Sequence, residues 1–124
     1  MPYRIKMIDG GVIELRFSGA SDVREHEKSR DDVADLCREK GLTRVLVDMS
    51  EQTSFEGGAT MDLFGFGESF VKGKFPRSAA IAVVNPVSEE AADDVEFVVT
   101  VARNRGFSME LFRDTEEALK WLSH

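Results

Sequence analysis

The run from Val45 to Met49 constrains the fold of this chain more than any other feature. Its sequence, VLVDM, is apolar on both sides of an extended strand except at its fourth position. Strands that are buried on both faces are typical of parallel sheets, which helices cover on both sides. Because parallel strands need long crossover connections, this run predicts helices before and after it in the chain.

The N-terminal segment predicts a β-hairpin. Residues 3–8 and 12–18 alternate apolar and polar side chains on either side of Asp9-Gly10-Gly11, and Asp-Gly supplies the positive φ angles of tight hairpin turns. The apolar side chains that should share one covered face are Tyr3, Ile5, Met7, Ile13, Leu15 and Phe17. We therefore expect an antiparallel pair at one edge of the sheet.

Helical patterns follow the hairpin and the central strand. An exposed helix is predicted over about 29–40, with Gly41 as its left-handed C-terminal cap. A second is predicted over 60–71, where six apolar residues fit one broad face and Pro76 prevents continuation. Those apolar residues are Met61, Leu63, Phe64, Phe66, Phe70 and Val71.

Two more helices are predicted nearer the C-terminus. Ser88 should cap one that ends at Gly106. Asp114 and Glu117 form an Asp-x-x-Glu variant of the capping box at the start of the other. The residues that should line their buried sides are Ala91, Val95, Val98, Val99, Ala102, Ala118, Trp121 and Leu122.

Strands are predicted over Arg77–Val84 and Met109–Phe112, so the complete order is β-β-α-β-α-β-α-β-α. Alternating strands and helices imply parallel pairing through right-handed crossovers. The predicted fold class is α/β: a mixed, mostly parallel sheet with an N-terminal antiparallel hairpin and helices packed on it. A chain of 124 residues fits one domain spanning 1–124.

Charge and cysteine content exclude some classes of function. The formal net charge of −7 repels polyanions, so nucleic acid is not an expected partner. Cys37 is the only cysteine, and no N-terminal stretch has the pattern of a signal peptide, so we expect a cytoplasmic protein. The longest apolar run, residues 79–84, is too short to span a membrane.

The order of elements and four stretches of sequence resemble the STAS domain, and more narrowly the SpoIIAA-like group described as STAS/SEC14-type domains. The similarity covers nearly the whole chain. It is carried by the N-terminal hairpin, VLVDMSEQTSF at 45–55, SAAIAVV at 78–84 and LFRDTEEALKWL at 111–122. The resemblance implies a SpoIIAA-like fold and a regulatory, non-enzymatic role.

The resemblance also implies a position for a phosphorylated serine. In anti-sigma-factor antagonists of the STAS family, the loop after the central strand carries Asp-Ser-Ser-Gly, and its second serine is modified. Here Glu56-Gly57-Gly58-Ala59 falls at that place, so a glycine occupies the modified position. Glycine has no oxygen to phosphorylate, and the usual switch of partners by an added phosphate is not expected.

We interpret residues 50–60 as a loop and as the first candidate site. A loop that follows the carboxyl end of a parallel strand and precedes a helix is where open α/β sheets place ligands, and free N–H groups there favour anions. The candidate residues are Ser50, Thr53, Ser54, Glu56, Gly57, Gly58 and Thr60. The alternative is a solvated connection whose glycines only satisfy turn geometry.

The aromatic segment from Phe64 to Phe75 is the second candidate site, represented by Phe64, Phe66 and Phe70. Together with Lys72, Lys74 and Arg77 it concentrates apolar and positive groups in an acidic chain. It could admit an apolar small molecule or lipid, touch a membrane surface or contact a protein. The alternative is that these phenylalanines belong to the core.

Catalytic and cofactor chemistry find little support in the sequence. His26 and His124 are interpreted as solvated surface residues, and Cys37 as a small buried hydrophobe. No cluster has metal-ligand spacing, and no cofactor motif is complete. Asp48 is expected to make a structural hydrogen bond to the following loop.

The preferred hypothesis is a regulatory or protein-interaction module with an unidentified protein partner and without the serine switch. The alternative is binding of a small apolar or lipid-like ligand, and an enzyme is a distant third. The exposed hairpin edge is compatible with a homodimer.

Overall fold

The computed structural model describes residues 3–8, 10–56, 75–76, 78–86 and 89–123. Within them the elements are β1 (Tyr3–Ile8), β2 (Val12–Asp22), α1 (Val23–Lys40), β3 (Arg44–Glu56), β4 (Ala80–Val84), α2 (Glu89–Asn104), β5 (Ser108–Phe112) and α3 (Thr115–Leu122). The helix predicted over 60–71 lies outside the described residues. Among the described helices, none is long and apolar enough to cross a membrane.

The strands form one mixed sheet in the order β1-β2-β3-β4-β5. β1 pairs with β2 antiparallel, and the other three pairings are parallel. Gly10 and Gly11 have φ angles of 87° and 75°, which only glycine adopts without strain. The predicted fold class, the edge hairpin and the central place of Val45–Met49 are confirmed.

β3 is much longer than predicted, because it continues from Ser50 to Glu56 instead of ending at Met49. β2 also continues, and its residues Ser18–Asp22 provide the backbone partners for Glu51–Glu56. β4 pairs with β3 only as far as Asp48, where β4 itself ends. The prediction of a loop over residues 50–56 was therefore wrong. Thr53 and Phe55 are residue types that favour strands. The loop prediction gave more weight to the polar residues around them.

β4 begins at Ala80, three residues later than predicted, because a turn precedes it. The backbone N–H of Ala79 donates to the carbonyl of Pro76 at 3.1 Å. The strand predicted at Met109–Phe112 is confirmed as β5, with Ser108 added.

α1 begins at Val23, six residues before the stretch 29–40 in which the sequence marks the helix most clearly and within the charge-rich segment that starts at Ser21. Asp22 caps it through a capping box: the Asp22 carboxylate accepts from the Glu25 N–H at 2.9 Å, and the Glu25 carboxylate accepts from the Asp22 N–H at 3.0 Å. These bonds satisfy two backbone donors that helix geometry leaves without partners. The predicted C-terminal cap is confirmed, since Gly41 has a φ of 67°.

The two faces of the sheet have different coverings. Face A, defined by Ile13, Leu15, Val45, Ile81 and Met109, packs against α1 and α2 in the main core. Face B, defined by Val12, Leu46, Ala82 and Val84, packs against Ala118 and Leu122 of α3. Asp114 caps α3 as predicted, because its carboxylate accepts from the Glu117 N–H at 2.8 Å. Helices on both faces bury both sides of the central strand, as its sequence predicts.

Candidate functional site

An irregularity in β3 lies directly after Asp48. Arg16 pairs with Asp48, but Ser18 pairs with Glu51. Between these two pairs β3 therefore advances by three residues while β2 advances by two. The Asp48 carboxylate holds the irregularity by accepting from the Ser50 N–H at 3.0 Å and from the Ser50 hydroxyl at 2.6 Å. The structural hydrogen bond expected of Asp48 is confirmed, although its partner lies in a strand and not in a loop.

The extra residue reverses the side on which the following side chains lie. In a regular strand Gln52 would share face B with Asp48, because alternate residues share a face. A bulge of one residue shifts this alternation. Accordingly Glu51 approaches Arg16 beside Asp48, while Gln52 is buried and hydrogen-bonds with His26 of α1 on face A.

Charged side chains on face B surround Arg16. Its guanidinium lies 3.5 Å from the Asp48 carboxylate, 3.9 Å from Glu14 and 4.0 Å from Glu51. Lys6 approaches Glu14 at 3.7 Å. Glu14 and Asp48 are buried, so the neighbouring cations offset part of the cost of removing two carboxylates from water. This cluster ties β1, β2 and β3 together.

His26 is buried, and the prediction of a solvated surface position was wrong. Its ring stacks on that of Phe17, with centroids 4.0 Å apart and planes 7° apart. Burial lowers its pKa from 6.5 to about 4, although the hydrogen bond with Gln52 and the charge of Asp22 act in the opposite direction. The imidazole is therefore neutral at neutral pH.

A sequence signal for this burial exists. His26 precedes Ser29, Val33 and Cys37 at helical spacings of three and four, and all four are buried on one side of α1. The charged residues between them belong to the other side of the helix and made the whole segment look exposed. Cys37 is buried as predicted, and burial raises the pKa of its thiol.

A cavity of about 70 Å³ lies on face A between the sheet, α1 and α2. Its apolar lining residues are Leu15, Phe17, Val33, Val45, Val47, Met49, Phe75, Ile81, Val83, Val95, Val98, Val99 and Met109. Phe75 is 7% exposed and belongs to the main core cluster, and it also forms part of the cavity wall. The sequence did not reveal the cavity, because a gap between packed side chains has no periodic pattern.

Three polar residues of α1 also line the cavity: His26, Ser29 and Arg30. The Ser29 hydroxyl donates to the His26 carbonyl at 2.8 Å. The Arg30 guanidinium donates from Nε and Nη2 to one carboxylate oxygen of Asp31, at 3.2 and 3.1 Å. The Arg30 side chain is 10% exposed and that of Asp31 is 61% exposed. The largely buried side chain of Arg30 therefore forms part of the lining of an apolar cavity.

The residues predicted for the two candidate sites fall into two groups. Ser50, Thr53, Ser54 and Glu56 lie on β3, and Ser50 is bound to Asp48. The remaining candidates, Gly57, Gly58, Thr60, Phe64, Phe66 and Phe70, lie outside the described residues. In the part of the chain that the structure describes, no group of three His, Cys, Asp or Glu residues is arranged to hold a metal ion.

Comparison with known proteins identifies the fold. No protein-family model and no curated protein matches the sequence. Among solved structures, the anti-sigma factor antagonist SpoIIAA in its unphosphorylated form has a TM-score of 0.61 at 15% identity, covering 98% of this chain and 96% of that one. An anti-sigma factor antagonist from Mycobacterium paratuberculosis has a TM-score of 0.64 at 14% identity, covering 98% and 93%.

A third similar structure is an uncharacterized protein of the DUF3478 family from Shewanella loihica, which itself has a SpoIIAA-like fold. Its TM-score is 0.56 at 18% identity, and the match covers 97% of this chain and 91% of that one. The same fold thus recurs over nearly the full length of all three proteins and of this chain. The recognition made from the sequence is confirmed: this protein has the SpoIIAA-like fold.

Proposed function

We propose that this protein is a non-enzymatic regulatory module that acts by binding a protein partner in the cytoplasm. The observation that carries the proposal is the match in fold, over 98% of this chain, to two structures of anti-sigma factor antagonists.

The proposed module works without the serine switch. A glycine, Gly58, stands at the position that the resemblance assigns to the phosphorylated serine. Nearby, the Ser50 hydroxyl donates to the Asp48 carboxylate at 2.6 Å. A phosphate on Ser50 would break this bond and would place negative charge against a buried carboxylate. Ser50 is therefore a poor substitute for the missing serine.

The extension of β3 from Ser50 to Glu56 is the described part of the proposed partner surface. β2 pairs with one edge of this extension. β4 ends beside Asp48 and does not pair with the other edge. None of the described strands pairs with this second edge, and a strand edge without a paired neighbour can bind a partner through its backbone groups. Glu51 has a side chain that is 58% exposed and lies on this extension.

The test is recovery of a partner from the source cells with a tagged chain, followed by reconstitution from the purified components. We expect Glu51→Lys to weaken the complex, and Glu39→Lys, an exposed charge change at the far end of α1, to leave it intact. Equal losses with both variants would contradict the proposed surface. Light scattering on the isolated chain tests the predicted homodimer.

The absence of a serine switch has its own test. The purified chain is incubated with Mg-ATP and the partner or a matching kinase, and its intact mass is measured. We expect no added phosphate. A Gly58→Ser variant that gains a phosphate would show that the kinase was competent, whereas phosphate on the wild-type chain at Ser50, Ser54 or Thr60 would contradict the proposal.

The cavity on face A favours a second candidate function, binding of a small apolar ligand. A cavity of about 70 Å³ is about half the size of an engineered cavity of about 150 Å³ that binds benzene. A long lipid acyl chain would need the core to open, but a short apolar group fits. Native mass spectrometry of the purified chain tests this function by detecting co-purified small molecules.

A further inference from the structure

We infer that the cavity on face A binds a small neutral hydrocarbon and discriminates against polar or charged molecules of the same size. This inference rests on the second candidate function and names the class of ligand. It differs from the phenylalanine site predicted from the sequence, because none of Phe64, Phe66 and Phe70 is needed for it.

The volume of the cavity sets the size of the ligand. Six carbon atoms of benzene occupy a cavity of about 150 Å³, so a volume of about 70 Å³ accommodates roughly three. A hydrocarbon of this size, such as cyclopropane, fits the space that is present. A larger ring would have to push apart the side chains of a packed core, which costs free energy.

The sheet and α2 provide apolar walls. Among the described residues that line the cavity, the sheet contributes only aliphatic side chains, Phe17 and two methionines, and α2 contributes only valines. Val83 on β4 and Val99 on α2 are both buried, so their methyl groups are shielded from bulk solvent. A hydrocarbon gains free energy when it moves from water to walls of this kind.

The polar residues that line the described part of the cavity all lie on α1, and each already has a hydrogen-bond partner within the chain. His26 bonds with Gln52, and the Ser29 hydroxyl donates to the His26 carbonyl at 2.8 Å. The Arg30 guanidinium donates to Asp31. A hydroxyl or a charge on the ligand would lose its water at a site where these side chains are engaged elsewhere, and that loss is costly. The cavity therefore favours a molecule without polar groups.

The small size of the ligand limits its affinity. Because the binding free energy of a small molecule is bounded by its number of non-hydrogen atoms, a ligand of this size reaches a dissociation constant of about 1 mM at best. Selectivity must therefore be measured at millimolar concentrations. A comparison of chemically matched probes is more informative than any single affinity.

Methyl NMR spectroscopy of the full chain, labelled with ¹³C in its valine methyl groups, tests the inference with cyclopropane. The methyl signals of Val83 and Val99, which line the cavity, should shift and reach saturation. The signals of Val12 and Val84, which are buried on face B, should stay unchanged. The two valines of each face thus serve as reporters of the site and of the background.

Ethanol and benzene test the class and the size of the ligand. Ethanol has as many non-hydrogen atoms as cyclopropane, but one of them is a hydroxyl oxygen. We expect ethanol to bind about tenfold more weakly than cyclopropane, because its hydroxyl loses water without gaining a partner. Benzene is apolar but larger, and it should also bind more weakly than cyclopropane.

A matched pair of valine variants locates the ligand. Val47→Ile adds a methylene group to the cavity wall and should weaken cyclopropane binding about fourfold, because the ligand loses the space to bury one such group. Val84→Ile makes the same change on face B and should leave cyclopropane binding unchanged. If either variant does not fold, the reporters of the two faces on the wild-type chain decide.

The outcomes separate this inference from the function on which it rests. Ethanol binding as tightly as cyclopropane would overturn the discrimination against polar molecules, and benzene binding more tightly would overturn the size limit. Both results would leave the second candidate function intact. Equal cyclopropane shifts on the two faces, or an affinity that Val47→Ile does not change, would overturn the cavity as the binding site. Saturable binding of none of the probes would overturn both the inference and the second candidate function.

Discussion

The imidazole of His26 on α1 lies parallel to the ring of Phe17 on β2, at a centroid distance of 4.0 Å. This stack joins the first turns of α1 to face A of the sheet, next to the cavity that both residues line. Because the imidazole is 6% exposed, adding a proton to it places a charge where water cannot solvate it. The stack therefore makes the fold sensitive to acid.

Stability should fall as the pH falls from about 6.5 to about 4. The pKa of His26 is lowered from 6.5 to about 4 in the folded chain, so between these values the unfolded chain binds a proton that the folded chain does not. The stabilising effect of a neutral His26 is complete above 6.5 and is lost progressively toward 4, by up to roughly 3 kcal/mol. Urea unfolding at a series of pH values measures this change in the free energy of unfolding.

A His26→Phe variant is the control, because it keeps an aromatic ring against Phe17 and cannot take up a proton. Carboxylates titrate in the same range in both proteins, so the difference between their stability curves isolates His26. We expect the wild-type chain to lose more stability than the variant on acidification. Parallel curves would contradict the account of His26.

Removing the Asp48 carboxylate should destabilise the fold. Asp48→Ala removes the two bonds to Ser50 and the nearest acidic partner of Arg16, at a cost of about 2 kcal/mol. Glu51→Gln is the matched control, because Glu51 also approaches Arg16 but is 58% exposed, and its loss should cost at most about 0.5 kcal/mol. Chemical denaturation compares the two, and similar losses would show that Asp48 does not hold the bulge.

Removing the N-terminal cap of α1 should cost about 1 kcal/mol. Asp22→Ala leaves the Glu25 N–H without the carboxylate that accepts from it at 2.9 Å. Asp35→Ala, in the middle of the same helix, removes an exposed carboxylate that pairs with Arg38 and should cost less than about 0.5 kcal/mol. Thermal unfolding by circular dichroism measures both, and a larger effect of Asp35→Ala would contradict the capping role.

Filling the cavity should stabilise the chain. Val47→Ile adds one methylene group to a side chain that lines the cavity, which contributes about 0.5–1 kcal/mol by burial. Val84→Ile makes the same change at a buried position on face B, where close packing makes it destabilising by about 1 kcal/mol. Denaturant midpoints test the pair, and stabilisation at position 84 without stabilisation at position 47 would count against the cavity.

The sequence predicted the framework of the fold because apolar periodicity records burial directly. The run from Val45 to Met49 indicated a strand covered on both faces, and Asp9-Gly10-Gly11 indicated the hairpin turn. Helix ends marked by Gly41 and Asp114 were found because capping depends on local geometry. These signals act over a few residues and need no knowledge of distant contacts.

Features that depend on distant partners escaped prediction. The polar residues after Met49 indicated a loop, and only the extension of β2 shows why they form a strand. The position of Gln52 depends on the bulge at Ser50, and the burial of His26 depends on Gln52 and Phe17. The cavity beside Arg30 arises from the combined shapes of the sheet, α1 and α2, each of which contributes only some of the lining side chains.

The most direct test of the proposed function is the dissociation constant of the complex reconstituted from the purified chain and its recovered partner. We expect a stable complex that forms without phosphorylation of the chain. Glu51→Lys should weaken its affinity at least about tenfold, because it reverses a charge on the β3 extension. Glu39→Lys should leave the affinity unchanged. A purified chain that binds no recovered protein, or a complex that forms or dissociates only when the chain carries a phosphate, would contradict the account.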